Sequence, residues 1–334
     1  MKKLLSVVIV VLMSFFAARA QIYRVATMNA DQIRSLDKQK TVVILTGGIL
    51  EEHGPHLPSF TDGYSNEWLT QKLAEAIVTR PGWSALVFPT IPLGHGGANE
   101  IGGKYVFPGT YAVRRTTLRA IFMDLASELG EQGFRWVIIM HGHGSPYHNL
   151  MLDQAGDFFR DTYGGRMIHL RGLQPTKEQL AALKLTPPPD PPMSEADTKE
   201  VGRLDLHAGY EETSRLLFIR PDLVDPGYAK LPPLPANNPG DLIQFAQPNW
   251  LGYIGSPRLA NVKVGKQVQE FRATRDAALV FAIIDGKLDE RDIPHYAIGI
   301  LSNPAIAKIT DVSGKNDLTI AQRENDWMKK KGIE

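Results

Sequence analysis

The sequence predicts an α/β protein with a mostly parallel central sheet covered by helices on both faces. Two observations predict it: short β-branched runs alternate with amphipathic helical patterns, and the polar, chemistry-bearing motifs begin where the first and third of those runs stop. Val42-Val43-Ile44-Leu45 is the first run, apolar throughout and closed by Thr46-Gly47-Gly48, as in a strand buried on both sides. A polar loop follows to Asp62, after which Trp68, Leu69, Leu73, Ala76 and Ile77 recur at helical spacing. Leu86-Val87-Phe88 reads as a second strand and leads into a glycine-rich loop, 94–109. Leu118, Ile121, Phe122, Leu125 and Leu129 fall on one helical face, and Gly130 and Gly133 punctuate its end. Trp136 to Met140 is a third strand, Leu150 to Phe159 a helix and Met167 to Leu170 a fourth strand.

The second half is less regular. Thr186-Pro187-Pro188-Pro189-Asp190-Pro191-Pro192 excludes helix and central strand, because proline lacks the backbone donor and fixes φ. It marks a proline-rich loop region near 173–204. Pro232-Pro233 and Asn237-Asn238-Pro239-Gly240 mark another irregular stretch; helix resumes from Lys266 to Ile284, and a charged surface helix closes the chain near Ile320 to Lys331. No internal repeat is present, so residues 21–334 are expected to form a single domain with decorated loops.

Residues 1–20 stand apart. Met1-Lys2-Lys3, an apolar stretch from Leu4 to Ala17, and Ala18-Arg19-Ala20 have the pattern of a cleaved secretory signal, shorter than the ~20 apolar residues that span a bilayer. The expectation is a periplasmic or secreted protein with no stable membrane insertion after cleavage. With 334 residues, 43% hydrophobic, the chain is large enough to bury a core without disulfides, and it has no cysteine. Any metal must then be held by histidines and carboxylates. The formal net charge of +1 gives no basic surface for nucleic acid.

Three clusters carry chemistry. In Glu51-Glu52-His53-Gly54-Pro55-His56, Glu51 and His53 are two apart at a strand end, so strand periodicity places them on one side and turns Glu52 away, toward structure or solvent. Gly54 and Pro55 turn the chain and allow Asp62 to return. In His141-Gly142-His143-Gly144-Ser145, two histidines follow the third strand directly. The third cluster is His207-Ala208-Gly209-Tyr210-Glu211-Glu212, whose His207 and Glu212 suit acid, base or ligand roles. Mixed carboxylate and imidazole donors suit zinc, manganese or iron.

Together these motifs resemble the creatininase (creatinine amidohydrolase) family. The resemblance rests on Glu51-x-His53-Gly54-Pro55-His56-Leu57-Pro58 with Asp62, Phe107-Pro108-Gly109-Thr110, His141-Gly142-His143-Gly144, His207-Ala208-Gly209 with Glu212-Thr213-Ser214, and Gly252-Tyr253-Ile254-Gly255-Ser256-Pro257. It implies a three-layer α/β/α sandwich, two divalent metal ions per subunit, and a homo-oligomer, a hexamer by family analogy. It assigns Glu51 and His143 to one ion, His53 to the other, and Asp62 as the bridge. Ser145 stands where creatininase has a second-metal glutamate, which leaves Glu212 or water to complete that site; His141 replaces the family's asparagine and is expected to support the ligands from behind. The implied activity is hydrolysis of a non-peptide amide C–N bond, cyclic amides included, through a water whose pKa the metal lowers to about 7. His207 is the expected proton shuttle. Phe107, Gly109, Thr110, Gly144 and Ser145 are candidate contacts to a small-molecule amide. Two other readings fit the same residues: a metallopeptidase acting on short peptides, and a non-catalytic exported binding protein with a degenerate second metal site.

Overall fold

A computed structural model describes residues 21–96, 108–239, 241 and 249–333. The signal-like segment 1–20, Phe107 and most of the glycine-rich loop lie outside the described residues.

Among the described residues five parallel strands form one sheet in the order β1-β3-β2-β4-β5: β1 Ile22–Arg24, β2 Thr41–Thr46, β3 Ser84–Val87, β4 Trp136–Met140 and β5 Arg166–His169. β2 is central, and all six of its residues are buried. Side chains alternate across a strand, so Val42 and Ile44 enter one core while Val43 and Leu45 enter the other. The first core is completed by Leu69, Leu73 and Ile77 of α2 (Thr61–Ile77) and by Leu279, Val280 and Ile283 of α8 (Val262–Ile284). The second is completed by Leu118, Phe122 and Leu129 of α3 (Arg115–Glu131) and by Leu152, Ala155 and Phe159 of α4 (Pro146–Tyr163). The result is a three-layer α/β/α sandwich.

The four strands and the helices expected from periodicity are all present, with shifted ends. The structure adds β1, the short helix α1 (Ala30–Arg34), and α5 (Lys177–Ala182) and α6 (Glu195–Val201), which flank the proline-rich stretch. α7 (Tyr210–Ile219) carries the third chemical cluster; α9 (Tyr296–Leu301) and α10 (Pro304–Lys331) close the chain. Two local expectations are corrected. Asp62 lies not in a loop but in the first turn of α2. Glu51 and His53 are not on a strand end: β2 stops at Thr46, and both residues belong to the irregular loop beyond it. Among the described residues no helix is long and apolar enough to cross a membrane.

Candidate metal centre

β2 and β4 are neighbours paired in register from Val42↔Trp136 to Thr46↔Met140, so the chain leaves both strands at the same edge of the sheet. The Gly47 N–H donates to the Met140 carbonyl (3.0 Å) and extends the pairing one residue. A side chain at Gly47 would run into His141, whose Cδ2 is 2.2 Å from a notional Cβ; glycine is what lets the two strand ends close together. From α2, the Asn66 side-chain amide donates to the carbonyls of Gly47 (2.8 Å) and Gly142 (3.0 Å), tying both exits to one helix. The loop between is closed by the Glu51 N–H donating to Ser59 O (2.8 Å), and Thr61 donates to Pro58 O (2.7 Å) at the helix entry. These contacts return Asp62 to the ends of the strands.

There the side chains converge. His143 Nδ1 lies 2.8 Å from Asp62 Oδ2 and 3.3 Å from Glu51 Oε2. His53 Nε2 lies 3.6 Å from Glu212 Oε2, and His207 Nδ1 lies 3.7 Å from Glu51 Oε1. Among the described residues three groups of side chains place their ligand atoms within 4.8 Å of one another: Glu51, Asp62 and His143; His53, Asp62 and Glu212; and Glu51, His53 and His207. Asp62 is common to the first two, which are two distinct clusters able to hold a metal ion.

The unsatisfied atoms of this donor set fit a cation. Among the described residues Glu51 Oε2 and His53 Nε2 are buried with no hydrogen-bond partner, an arrangement that costs free energy unless something else binds them. The tautomer is arranged to suit. His53 Nδ1 lies 3.0 Å from the Glu51 carbonyl, which can only accept, so Nδ1 carries a proton and Nε2 is the atom turned to the cluster; burial opposes a charged ring, but Glu212, Glu51 and Asp62 raise its pKa, a negative field that favours a cation at the same place. Burial pushes the Glu51 carboxyl up to about 7 against the pull of His143 and His53. Burial also opposes ionisation of Asp62, but the hydrogen bond from His143 and the charges of His143, His53 and Arg215 hold its carboxyl below the usual range. Two carboxylates pushed apart, beside orphaned donors, fit a divalent cation.

His207 hangs over the same cluster. Its Nε2 donates to the Glu52 carbonyl (2.7 Å), leaving Nδ1 as the unprotonated atom facing Glu51. Burial, reinforced by His53, keeps this imidazole neutral well below its ordinary range. The next residue, Ala208, has φ 48°, a left-handed conformation that is strained for a residue with a Cβ. The turn aims the Ala208 N–H at Glu212 Oε2 (2.7 Å), while Glu212 Oε1 accepts from Arg215 (3.0 Å). Glu212 is therefore fixed by two donors as it faces His53.

The remaining candidates are placed as follows. Gly144 lines a cavity beside the cluster, and its carbonyl accepts from the Tyr296 hydroxyl (2.9 Å). Ser145 is buried at the N-cap of α4 and is not on the cavity wall. Thr110 accepts from the Glu52 N–H (3.0 Å), and Gly109 packs against Ser59; both brace the 51–59 loop instead of lining the cavity. Phe107 lies outside the described residues. His141 points away from the ligands: Nε2 contacts the Ile91 carbonyl and Nδ1 contacts His148 Nε2, both at 3.1 Å, and burial with the neighbouring His169 holds it down to about 3. His56 bonds Thr213 (2.9 Å) and supports the loop. Glu52 turns away from the ligands, yet not to solvent. Its Oε1 accepts from the Gly54 N–H (2.6 Å), its Oε2 is buried, and the carboxyl fills the space left by Gly252. Asp205, at the base of α7, accepts from the Tyr210 and Glu211 N–H groups (2.9 and 2.7 Å).

Arg171, Arg215 and Arg272, which the sequence does not single out, stand on the cavity wall together with Asp205 and Glu211. The three arginines come from three separate elements, and no local motif joins them.

The profile of the creatininase family, described as creatinine amidohydrolase, matches residues 26–280. A creatinine amidohydrolase from Pseudomonas putida is 30% identical over 190 residues, 55% of this chain and 66% of that protein, so the chain spans just under two thirds of that relative. A mycofactocin precursor peptide peptidase from Mycolicibacterium smegmatis is 26% identical over 245 residues, 70% of this chain and 82% of the relative. Among solved structures, a mutant creatininase of type II superposes with a TM-score of 0.55 at 22% identity, covering 79% of this chain and 98% of that one. A creatinine amidohydrolase (creatininase) gives 0.52 at 22%, covering 78% and 96%. At these identities the structures bear on the fold.

Proposed function

The chain belongs to the creatininase family, and from that premise we propose that it is an exported, metal-dependent amidohydrolase that cleaves a non-peptide amide C–N bond, cyclic amides included. The observation that carries the reading is the pair of ligand clusters joined at Asp62, with Glu51 and His143 on one side and His53 and Glu212 on the other. When bound there, two divalent ions supply an activated water and polarise the scissile carbonyl. The rest falls to the chain. Asp62 and Glu51 fix the spacing of the two halves. His207, with one nitrogen locked on the Glu52 carbonyl, uses Nδ1 to take a proton from the attacking water and deliver it to the leaving nitrogen. Glu212 occupies the role that Ser145 cannot fill.

Zinc, manganese and iron all suit this donor set. Export rests on the pattern of residues 1–20, and homo-oligomeric assembly on family analogy; sedimentation of the mature chain tests the latter. The test of activity is metal analysis of the purified protein followed by a screen of cyclic and linear amides. Bound metal with turnover of at least one amide is expected. Bound metal with no turnover across the screen would instead indicate the binding-protein reading. A peptidase is the second reading, favoured by the similarity to the mycofactocin precursor peptide peptidase over 82% of that relative. Cleavage of short peptides in preference to non-peptide amides would establish it.

A further inference from the structure

Beside the ligand clusters is a cavity of about 290 Å³. Asp62 and His143 form part of its wall, and Arg171, Arg215 and Arg272 form another part. Arg171 follows β5, Arg215 is on α7 and Arg272 on α8. Arg171 packs directly on the metal-binding loop: its Nε is 3.2 Å from where a Cβ at Gly142 would stand, next to His143.

Buried guanidiniums are normally matched by carboxylates. Here each acid is divided between two of them. Asp276 is 3.5 Å from Arg171 Nη1 and 2.9 Å from Arg275 Nη2. Glu211 is 2.6 Å from Arg272 Nη2 and 3.6 Å from Arg215 Nε. The carboxylate left for Arg215 is Glu212, at 3.0 Å, which also faces His53 in the second ligand cluster. Among the described residues Arg215 Nε is buried with no hydrogen-bond partner.

A counter-ion role for the ligand carboxylates does not account for this wall. Arg171 and Arg272 pair with Asp276 and Glu211, neither of which is in a ligand cluster, and divalent cations would neutralise the ligands themselves. Outside the ligand clusters, Arg171, Arg215, Arg272 and Arg275 are set against Asp205, Glu211 and Asp276, and of these acids Asp205 and Glu211 also line the cavity. We propose that Arg171 and Arg272, with Arg215, receive a carboxylate of the substrate, so that the protein acts on amides bearing a free carboxylate a few bonds from the scissile C–N bond, as in N-acyl amino acids. Guanidinium forks match a planar carboxylate, and the small cavity sets the anion close to the reacting amide. The inference rests on the amidohydrolase reading for its reaction and on the arginine wall for its substrate class.

The test is binding, measured by calorimetry on the metal-loaded full chain. N-acetyl derivatives of glycine, alanine and phenylalanine are compared with their C-terminal carboxamides. The carboxylates should bind at least tenfold tighter. That preference should fall below threefold in Arg171→Gln and Arg272→Gln and be partly kept in Arg171→Lys and Arg272→Lys. Equal binding of the two series to the unaltered protein overturns the proposal. So does a preference unchanged in both glutamine variants, or one that disappears when the metal is chelated. Carboxylate-selective binding without hydrolysis of any amide would sink the amidohydrolase and leave the anion site standing; hydrolysis of neutral amides without carboxylate preference would do the reverse.

Discussion

Glu212 Oε2 faces His53 Nε2 at 3.6 Å, although one residue is on α7 and the other is in the loop after β2. The contact supplies the second ligand cluster with a carboxylate where Ser145 offers none. Glu212→Gln keeps the shape but removes the charge. It should release about one of two bound ions and lower kcat about 100-fold or more. Metal analysis by mass spectrometry after dialysis, paired with turnover, checks this; two ions retained with full activity would exclude Glu212 as a ligand.

His207 is assigned to proton transfer. General acid–base groups contribute roughly 10²–10⁴-fold. His207→Ala should lower kcat within that range and leave the bound metal in place. Because His207 also shares a ligand-competent group with Glu51 and His53, loss of an ion in this variant would reassign it from shuttle to ligand.

Phe122 is fully buried and meets His141 edge-on, with ring centroids 5.4 Å apart. Phe122→Ala should destabilise the fold by about 3–5 kcal/mol, as large-to-small core changes do. Chemical denaturation reads it. A cost below about 1 kcal/mol would mean that the second core is looser than its burial indicates.

A pH dependence follows from the junction of α4, β5 and α9. Asp153 lies 3.0 Å from His169 Nδ1 and 3.0 Å from His295 Nδ1. The Asp153 partner raises the His295 pKa above its ordinary 6.5. A raised histidine stabilises the fold below its unfolded value and loses that contribution as pH climbs through the folded one. Burial opposes ionisation of Asp153, yet its histidine partners hold the carboxyl down to about 2. That contribution is present above the unfolded value near 3.8 and is lost as pH falls toward 2. Thermal midpoints should therefore decline on the alkaline side of pH 6.5, and His295→Gln should flatten the decline. An unchanged slope in the variant would remove His295 from the account.

The sequence made the central sheet legible because β2 and β4 are buried on both faces and read as continuous apolar runs. The three-residue β1 has no such run, and its pairing with β3 is a tertiary event. The start of α2 was hidden because Phe60 occupies the N-cap without a capping side chain, so nothing local marked Asp62 as helical. Glu51 and His53 were identified as partners by strand alternation, but the loop brings them together by other means, through Gly54 at φ 69° and the Glu51–Ser59 closure. The arginine wall was illegible for a different reason. Three charged residues on three elements carry no spacing signal, and each reads alone as a solvated surface arginine.

Asp62 is common to both ligand clusters, and a hydrolytic centre built on it stands or falls with metal stoichiometry and amide turnover in Asp62→Ala, with His143→Ala beside it. Close to two ions per chain are expected in the unaltered protein, with loss of bound metal together with activity in Asp62→Ala, and loss of at least the Glu51-side ion with activity in His143→Ala. Two ions and full turnover retained after Asp62→Ala would contradict it.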